Sequence, residues 1–140
     1  MSDRRLTFSF IVRRPPETLG ANTRAPWQVQ HRAGGAYALE IGESIFAQIG
    51  GMTALHCAPW ENGRLASTHY FRGAMADADN CVAALKPIID VLKVAGAGTG
   101  KRYRLGILRD DRRLEVLAPD RIPSAGRQLA GQVRITLEVW

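Results

Sequence analysis

The chain has 140 residues, 46% of them hydrophobic and 23% charged, and its 19 Lys and Arg against 13 Asp and Glu give a net charge of +6. A single domain of this size buries a core without disulfide or metal staples, and the composition excludes a disordered or fibrous chain. No run of about 18 apolar residues is present, and the apolar run at 8–12 is too short for a secretory signal, so no membrane segment is expected.

The elements follow in chain order. Leu6 to Val12 alternates apolar and small polar residues and predicts a strand. Arg13 to Pro26 reads as a loop, broken by Pro15-Pro16, Gly20 and Pro26. Trp27 to Ile49 carries Ala38, Ile41, Ile45 and Ile49 at helical spacing, and Gly50-Gly51 ends that helix. Met52 to Pro59 and Arg64 to Arg72 predict two strands joined by a turn at Glu61-Asn62-Gly63. Asp77 caps a second helix, Ala78 to Val94, with Pro87 inside it and a kink expected there. After a loop at 96–100, Tyr103 to Leu108 and Arg113 to Leu117 are short strand candidates flanking Asp110-Asp111. Pro119 to Gly131 reads as loop, and Val133 to Trp140 as a last strand with period-two alternation. This order predicts one α+β domain spanning 1–140, with two layers, two helices packed on one mixed β-sheet.

The bases are mostly arginine: only Lys86, Lys93 and Lys101 are lysines. Arginine suits bidentate contact with phosphate, which puts nucleic acid first among partners, although an arginine-rich codon usage produces the same composition. Two cysteines, Cys57 and Cys81, make no disulfide framework or metal finger, which fits a reducing, cytoplasmic setting.

Against this basic background, Asp77-Ala78-Asp79-Asn80, Lys86, Asp90 and Asp110-Asp111 concentrate acids around one helix. At about 100° per residue, Asp79, Lys86 and Asp90 project at roughly 0°, 340° and 20°, while Cys81, Leu85, Ile88 and Leu92 fall at roughly 180° to 240°. One face is apolar and the other carries two carboxylates and a lysine in line. Such carboxylates suit Mg²⁺ or Mn²⁺, hard cations that take oxygen ligands and polarise a phosphoryl group or activate water. Each residue also has an ordinary helical role: Asp77 as N-cap, Asp79 as a first-turn acid, Lys86 and Asp90 as an i,i+4 pair. Spacing alone leaves both readings open.

The same residues resemble the RusA family of Holliday-junction resolvases, especially its phage-type members. The resemblance rests on Asp77-Ala78-Asp79-Asn80, Lys86-Pro87, Asp90-Val91-Leu92 and the run Gly106 to Asp111, with a looser likeness at Pro15-Pro16, Asn22, Arg24 and Trp27. It implies a Mg²⁺-dependent endodeoxyribonuclease, with Mn²⁺ as a substitute, acting as a homodimer on four-way DNA junctions in recombination and repair. By position it implies Asp77, Asp79 and Asp111 as metal ligands, Lys86 as a catalytic aid, and Asn80, Asp90 and Asp110 in support. Lys86 stands seven residues after Asp79, the longer phage-type spacing; the link from Asp90 to Asp110 is longer than usual, and the basic run before the acids is reduced to Arg72.

Expected DNA contacts are Arg24, Arg32, Arg72, Lys101, Arg102 and Arg104, the last three in or beside a glycine-rich loop. That loop resembles a nucleotide-binding P-loop, but Ala95 and Arg102 stand where the pattern needs Gly and Ser or Thr, so no nucleotide cofactor is expected. Arg121, Arg127 and Arg134 fit phosphate contacts or a solvated face equally. His31, His56 and His69 show no metal spacing, and Trp27, beside Arg24 and Arg32, is the best stacking candidate among the three tryptophans. The alternative function is a non-catalytic basic DNA-binding protein of the same fold; a third is a phage structural or adaptor protein.

Overall fold

A computed structural model describes residues 5–20, 23–94 and 103–140. Its elements are β1 (Leu6–Arg13), α1 (Trp27–Gln48), β2 (Gly63–Tyr70), α2 (Ala78–Leu92), β3 (Leu114–Val116), β4 (Asp120–Ile122) and β5 (Gln132–Val139). The strands form one five-stranded mixed sheet. β5 lies between β1 and β2, antiparallel to both, and the far edge of β2 pairs in parallel with β3 and then β4.

Alternation decides which face is buried. Phe8, Phe10 and Val12 of β1 stand opposite Leu137, Ile135 and Val133 of β5, and Leu65, Ser67 and His69 of β2 share that register from the other side. All nine are buried, whereas Ser9, Arg64, Arg134 and Thr136 belong to the opposite set. Both helices cover the apolar face: Tyr37, Ala38, Ile41 and Ile45 from α1, and Leu85, Ile88, Val91 and Leu92 from α2, join the strand residues in one core. The architecture is α+β, two helices on one mixed sheet.

Two local devices fix α1. Gly50, at φ +98°, ends the helix in a conformation that a side chain resists. Near that end, Gln48 clamps the exposed edge of β1: the Ile11 amide donates to its Oε1 at 2.8 Å, and its Nε2 donates to the Ile11 carbonyl at 2.7 Å. The clamp satisfies backbone groups that an open sheet edge leaves unpaired.

Four expectations are corrected. Met52 to Pro59 is no strand; it forms a 3₁₀ turn, Gly51–Leu55, followed by irregular chain. Asn62-Gly63 is therefore not a hairpin turn. The Asn62 amide donates to the Trp140 carbonyl and the Trp140 amide to Asn62, both at 3.1 Å, so the partner of β2 is the distant β5. Tyr103 to Leu108 is irregular, with isolated bridges from Leu108 to Trp60 and Lys93, and the expected loop at 119–131 contains the short β4. Lys101, Arg102 and the glycine-rich loop at 96–100 lie outside the described residues. Among the described residues, no helix is long and apolar enough to cross a membrane.

Within the core, His69 is 1% exposed, its Nε2 lies 3.1 Å from Ser67 Oγ, and its Nδ1 has no partner among the described residues. Burial, with the nearby Arg14 guanidinium, lowers its pKa to about 4. The unfolded chain binds a proton at His69 near pH 6.5 and the folded chain does not, so this residue removes stability as pH falls from about 6.5 to about 4. The loss is on the order of a few kcal/mol and saturates below that window. Urea unfolding of the wild type and His69→Gln at pH 7, 5.5 and 4 should show a shallower pH dependence in the variant; parallel curves would rule out His69 as the cause. For the sheet, Ile135→Ala should cost about 2–5 kcal/mol by the same measurement, and Thr136→Ala, on the opposite face, within about 0.5 kcal/mol.

Candidate functional site

α2 begins where Asp77 stops the preceding extended chain. Its Oδ1 accepts the Asn80 amide at 2.8 Å and its carbonyl accepts the Cys81 amide at 3.1 Å, a side-chain N-cap that starts the helix. Asp79 follows in the first turn, where the helix dipole favours an acid. The projected faces appear as expected. Cys81, Leu85, Ile88, Val91 and Leu92 are buried, Asp77, Asp79 and Lys86 are exposed, and Asp90 is half-buried.

The i,i+4 pair between Lys86 and Asp90 is not formed. Asp90 Oδ1 pairs instead with Lys93 Nζ at 3.2 Å, and the same ammonium lies 3.6 Å from Asp111 Oδ2. Lys86 has no ion pair among the described residues and projects into a hollow shared with Asp90 and Arg104. Lys93, the centre of this cluster, was not singled out from the sequence, although its i,i+3 spacing from Asp90 marks it.

Asp111 reaches Lys93 because residues 105–108 are tied to the far end of α2. The Leu105 amide donates to Val91 O at 2.8 Å, Ile107 to Leu92 O at 2.8 Å, and Leu108 to Leu92 O at 2.9 Å, while Val94 donates back to Leu108 O at 2.9 Å. These bonds use the carbonyls that a helix C-terminus leaves unpaired. Asp110 turns elsewhere: Arg112 donates to it from its backbone amide at 2.9 Å, from Nε at 3.0 Å and from Nη2 at 2.8 Å. Those hydrogen bonds hold the Asp110 carboxyl below the usual carboxylate range.

The acids are thus divided between the two ends of α2. The rise from Asp79 to Asp90 is roughly 16 Å at about 1.5 Å per residue, whereas ligands to one Mg²⁺ lie about 2.1 Å from the ion. Among the described residues, no group of three or more His, Cys, Asp or Glu side chains converges to hold a metal. Asp77, Asp79 and Asp111 of one chain do not fit a single three-carboxylate site. Asp77 and Asp79 match in number the one or two carboxylates that Mg²⁺ usually takes from protein, and capping engages only one Asp77 oxygen.

The expected DNA contacts also separate. Arg24 lines a hollow with Arg14 and Asn80, against the N-terminal half of α2. Arg104 lines the next hollow with Trp27, His31, Lys86 and Asp90. Arg32 is exposed on α1. Arg72 faces another region, a hollow shared with Tyr70, Phe71 and Arg127. Arg14, absent from the expected contacts, stacks 4.9 Å over Phe71 and belongs with Arg24; its place beside Pro15-Pro16 was the available signal.

No family model matches the chain, and no curated protein matches its sequence.

The cap and ligand roles of Asp77 can be separated by substitution. Asp77→Ala should lower stability by about 1 kcal/mol and Asp77→Asn by only a few tenths, because Asn caps as well as Asp. Urea midpoints check this, and equal losses in both variants would mean the negative charge, not the cap bond, matters.

Proposed function

We propose that this chain is a metal-dependent, structure-selective endodeoxyribonuclease acting on branched DNA, with a four-way junction as its substrate class. The observation that carries the reading is the outer face of α2: Asp79 and Lys86 stand exposed on it, without ion-pair partners among the described residues, on a basic chain. The resemblance of Asp77 to Asn80, Lys86-Pro87 and Asp110-Asp111 to the RusA-type resolvases supports the same reading.

In this reading Asp77 and Asp79 would hold Mg²⁺, or Mn²⁺ in its place. The ion supplies polarisation of the phosphoryl group and activation of water. Lys86 sits on the same face to stabilise the negative charge that builds on the phosphoryl oxygens. Water oxygen bonds to phosphorus and the bond to the 3′ oxygen breaks, leaving a 5′-phosphate and a 3′-hydroxyl. The protein acts in the cytoplasm as a homodimer, whose twofold symmetry matches two symmetry-related scissile phosphates. Arg14 and Arg24 contact the backbone beside the acids.

The divided carboxylates favour a second reading, a DNA-binding protein of this fold without catalysis. Cleavage of a synthetic four-way junction separates the two. The nuclease reading expects Mg²⁺-dependent cleavage, abolished by EDTA and reduced at least about 100-fold by Asp79→Asn while junction binding persists. Full activity in EDTA or in Asp79→Asn would overturn it, and binding without cleavage at any Mg²⁺ concentration selects the second reading.

A further inference from the structure

The outer side of α2 is one wall of a trench. Two hollows, of about 560 and 380 Å³, meet at Leu19 and Ala83 and run from Arg14 and Arg24, past Asn80, to Lys86 and Arg104. Opposite α2 stand residues 14–20 at the first hollow and the N-terminal half of α1 at the second, where Gly34 and Ala38 leave little side-chain bulk. At its rim stands Trp27, the first residue of α1 and 69% exposed. One face of its indole is covered by the His31 ring, 4.9 Å away and 17° from parallel. The stacked ring beneath gives Trp27 a fixed orientation while most of its surface stays in water.

An exposed, oriented indole beside cations is a platform for a flat, weakly hydrated ring attached to an anion. The cations are present: Arg14, Arg24, Lys86 and Arg104 line the trench against Glu17 and Asp90. Arg104 Nη1 donates to the Tyr103 carbonyl at 3.3 Å, which ties the guanidinium to the trench wall, and its Nε is buried without a hydrogen-bond partner among the described residues. A nucleotide joins a flat base to a phosphate in this way, and base–aromatic stacking contributes about 1–3 kcal/mol per base. In duplex DNA both faces of each base are already stacked on neighbours, so the platform admits only a base that has left the stack.

We propose that the trench binds an unpaired nucleotide of branched or single-stranded DNA, its base stacked on Trp27 and its phosphates held by Lys86 and Arg104. The proposal rests on the DNA reading above and adds to it a device for recognising branch points. Free mononucleotides share the chemistry but lack the flanking phosphates that Arg14 and Arg24 would hold.

The test is binding of the full chain to labelled dT₁₅, to a matched duplex and to dTMP, with tryptophan emission followed in parallel. Trp27→Ala should weaken dT₁₅ binding about tenfold, with less than twofold change on duplex, and Trp27→Phe should retain most of the affinity. Arg104→Gln should reduce the slope of log affinity against log salt on dT₁₅ by about 0.7. Equal losses on both DNAs, unchanged dT₁₅ affinity in Trp27→Ala, or dTMP binding as tight as dT₁₅ would each overturn the proposal. Dissociation of an oligomer in Trp27→Ala would also overturn it, by assigning the indole to a contact between copies. If the wild type cleaves junctions while Trp27→Ala binds dT₁₅ normally, the trench proposal alone fails; if the wild type binds no DNA, the nuclease reading fails with it.

Discussion

Everything in this fold hangs on β5. It is the last strand in the sequence, yet it forms the centre of the sheet, pairing along its length with β1 on one side and β2 on the other. Its four inward residues, Val133, Ile135, Leu137 and Val139, are all fully buried. Without it β1 and β2 have no common partner, and the apolar floor under the helices is divided. The long separation of paired residues, such as Phe8 with Leu137, makes closure of this sheet entropically expensive and ties it to late, non-local contacts.

The sheet in turn fixes what α2 presents. A helix whose buried side is as fully inaccessible as Leu85, Ile88, Val91 and Leu92 cannot rotate about its axis without exposing them, so Asp79 and Lys86 are held outward by packing on the opposite side. The same rigidity keeps the two acidic ends apart. Lys93 offsets the charge at one end by facing both Asp90 and Asp111, while at the other end Asp77 is occupied with the cap. The helix is a spacer between two differently stabilised pairs of carboxylates. A single ion cannot bridge it.

Features set by local chemistry were legible in the sequence, and those set by distant partners were not. The cap at Asp77 and the buried positions Cys81, Leu85, Ile88 and Leu92 followed from helical geometry alone, as did the alternation of β1 and β5. The hairpin signal at Asn62-Gly63 misled because these residues serve the start of β2, not a turn. A Cβ on Gly63 would lie 3.0 Å from Leu114 Cδ1 and 3.1 Å from Leu108 Cδ2, so the glycine admits two side chains from remote segments. The replacement of Lys86 by Lys93 at Asp90, and the placement of Asp111 beside it, depend on residues 105–108 bonding to the end of α2, which no spacing along the helix encodes.

Charge is distributed by the same logic. Around the sheet and its loops, arginines meet acids: Arg5 with Glu138 at 3.2 Å, Arg64 with Glu115 at 3.0 Å, Arg13 with Glu40 at 2.9 Å, and Arg109 with Glu61. These exposed pairs contribute little to stability, but they cancel charge locally. Arg14, Arg24, Lys86 and Arg104 form no ion pairs among the described residues, and all four line the trench along α2. Arg32, Arg72, Arg113, Arg121, Arg127 and Arg134 also form no ion pairs among the described residues and lie outside the trench, so it holds only a share of the net charge of +6. Part of it is concentrated in a concave strip whose walls raise the field above that of the same charges on a flat surface. Asn80, Lys86 and Asp90 of α2 line that strip while the exposed Asp79 lines neither hollow, so the helix sets this acid beside the cations rather than among them.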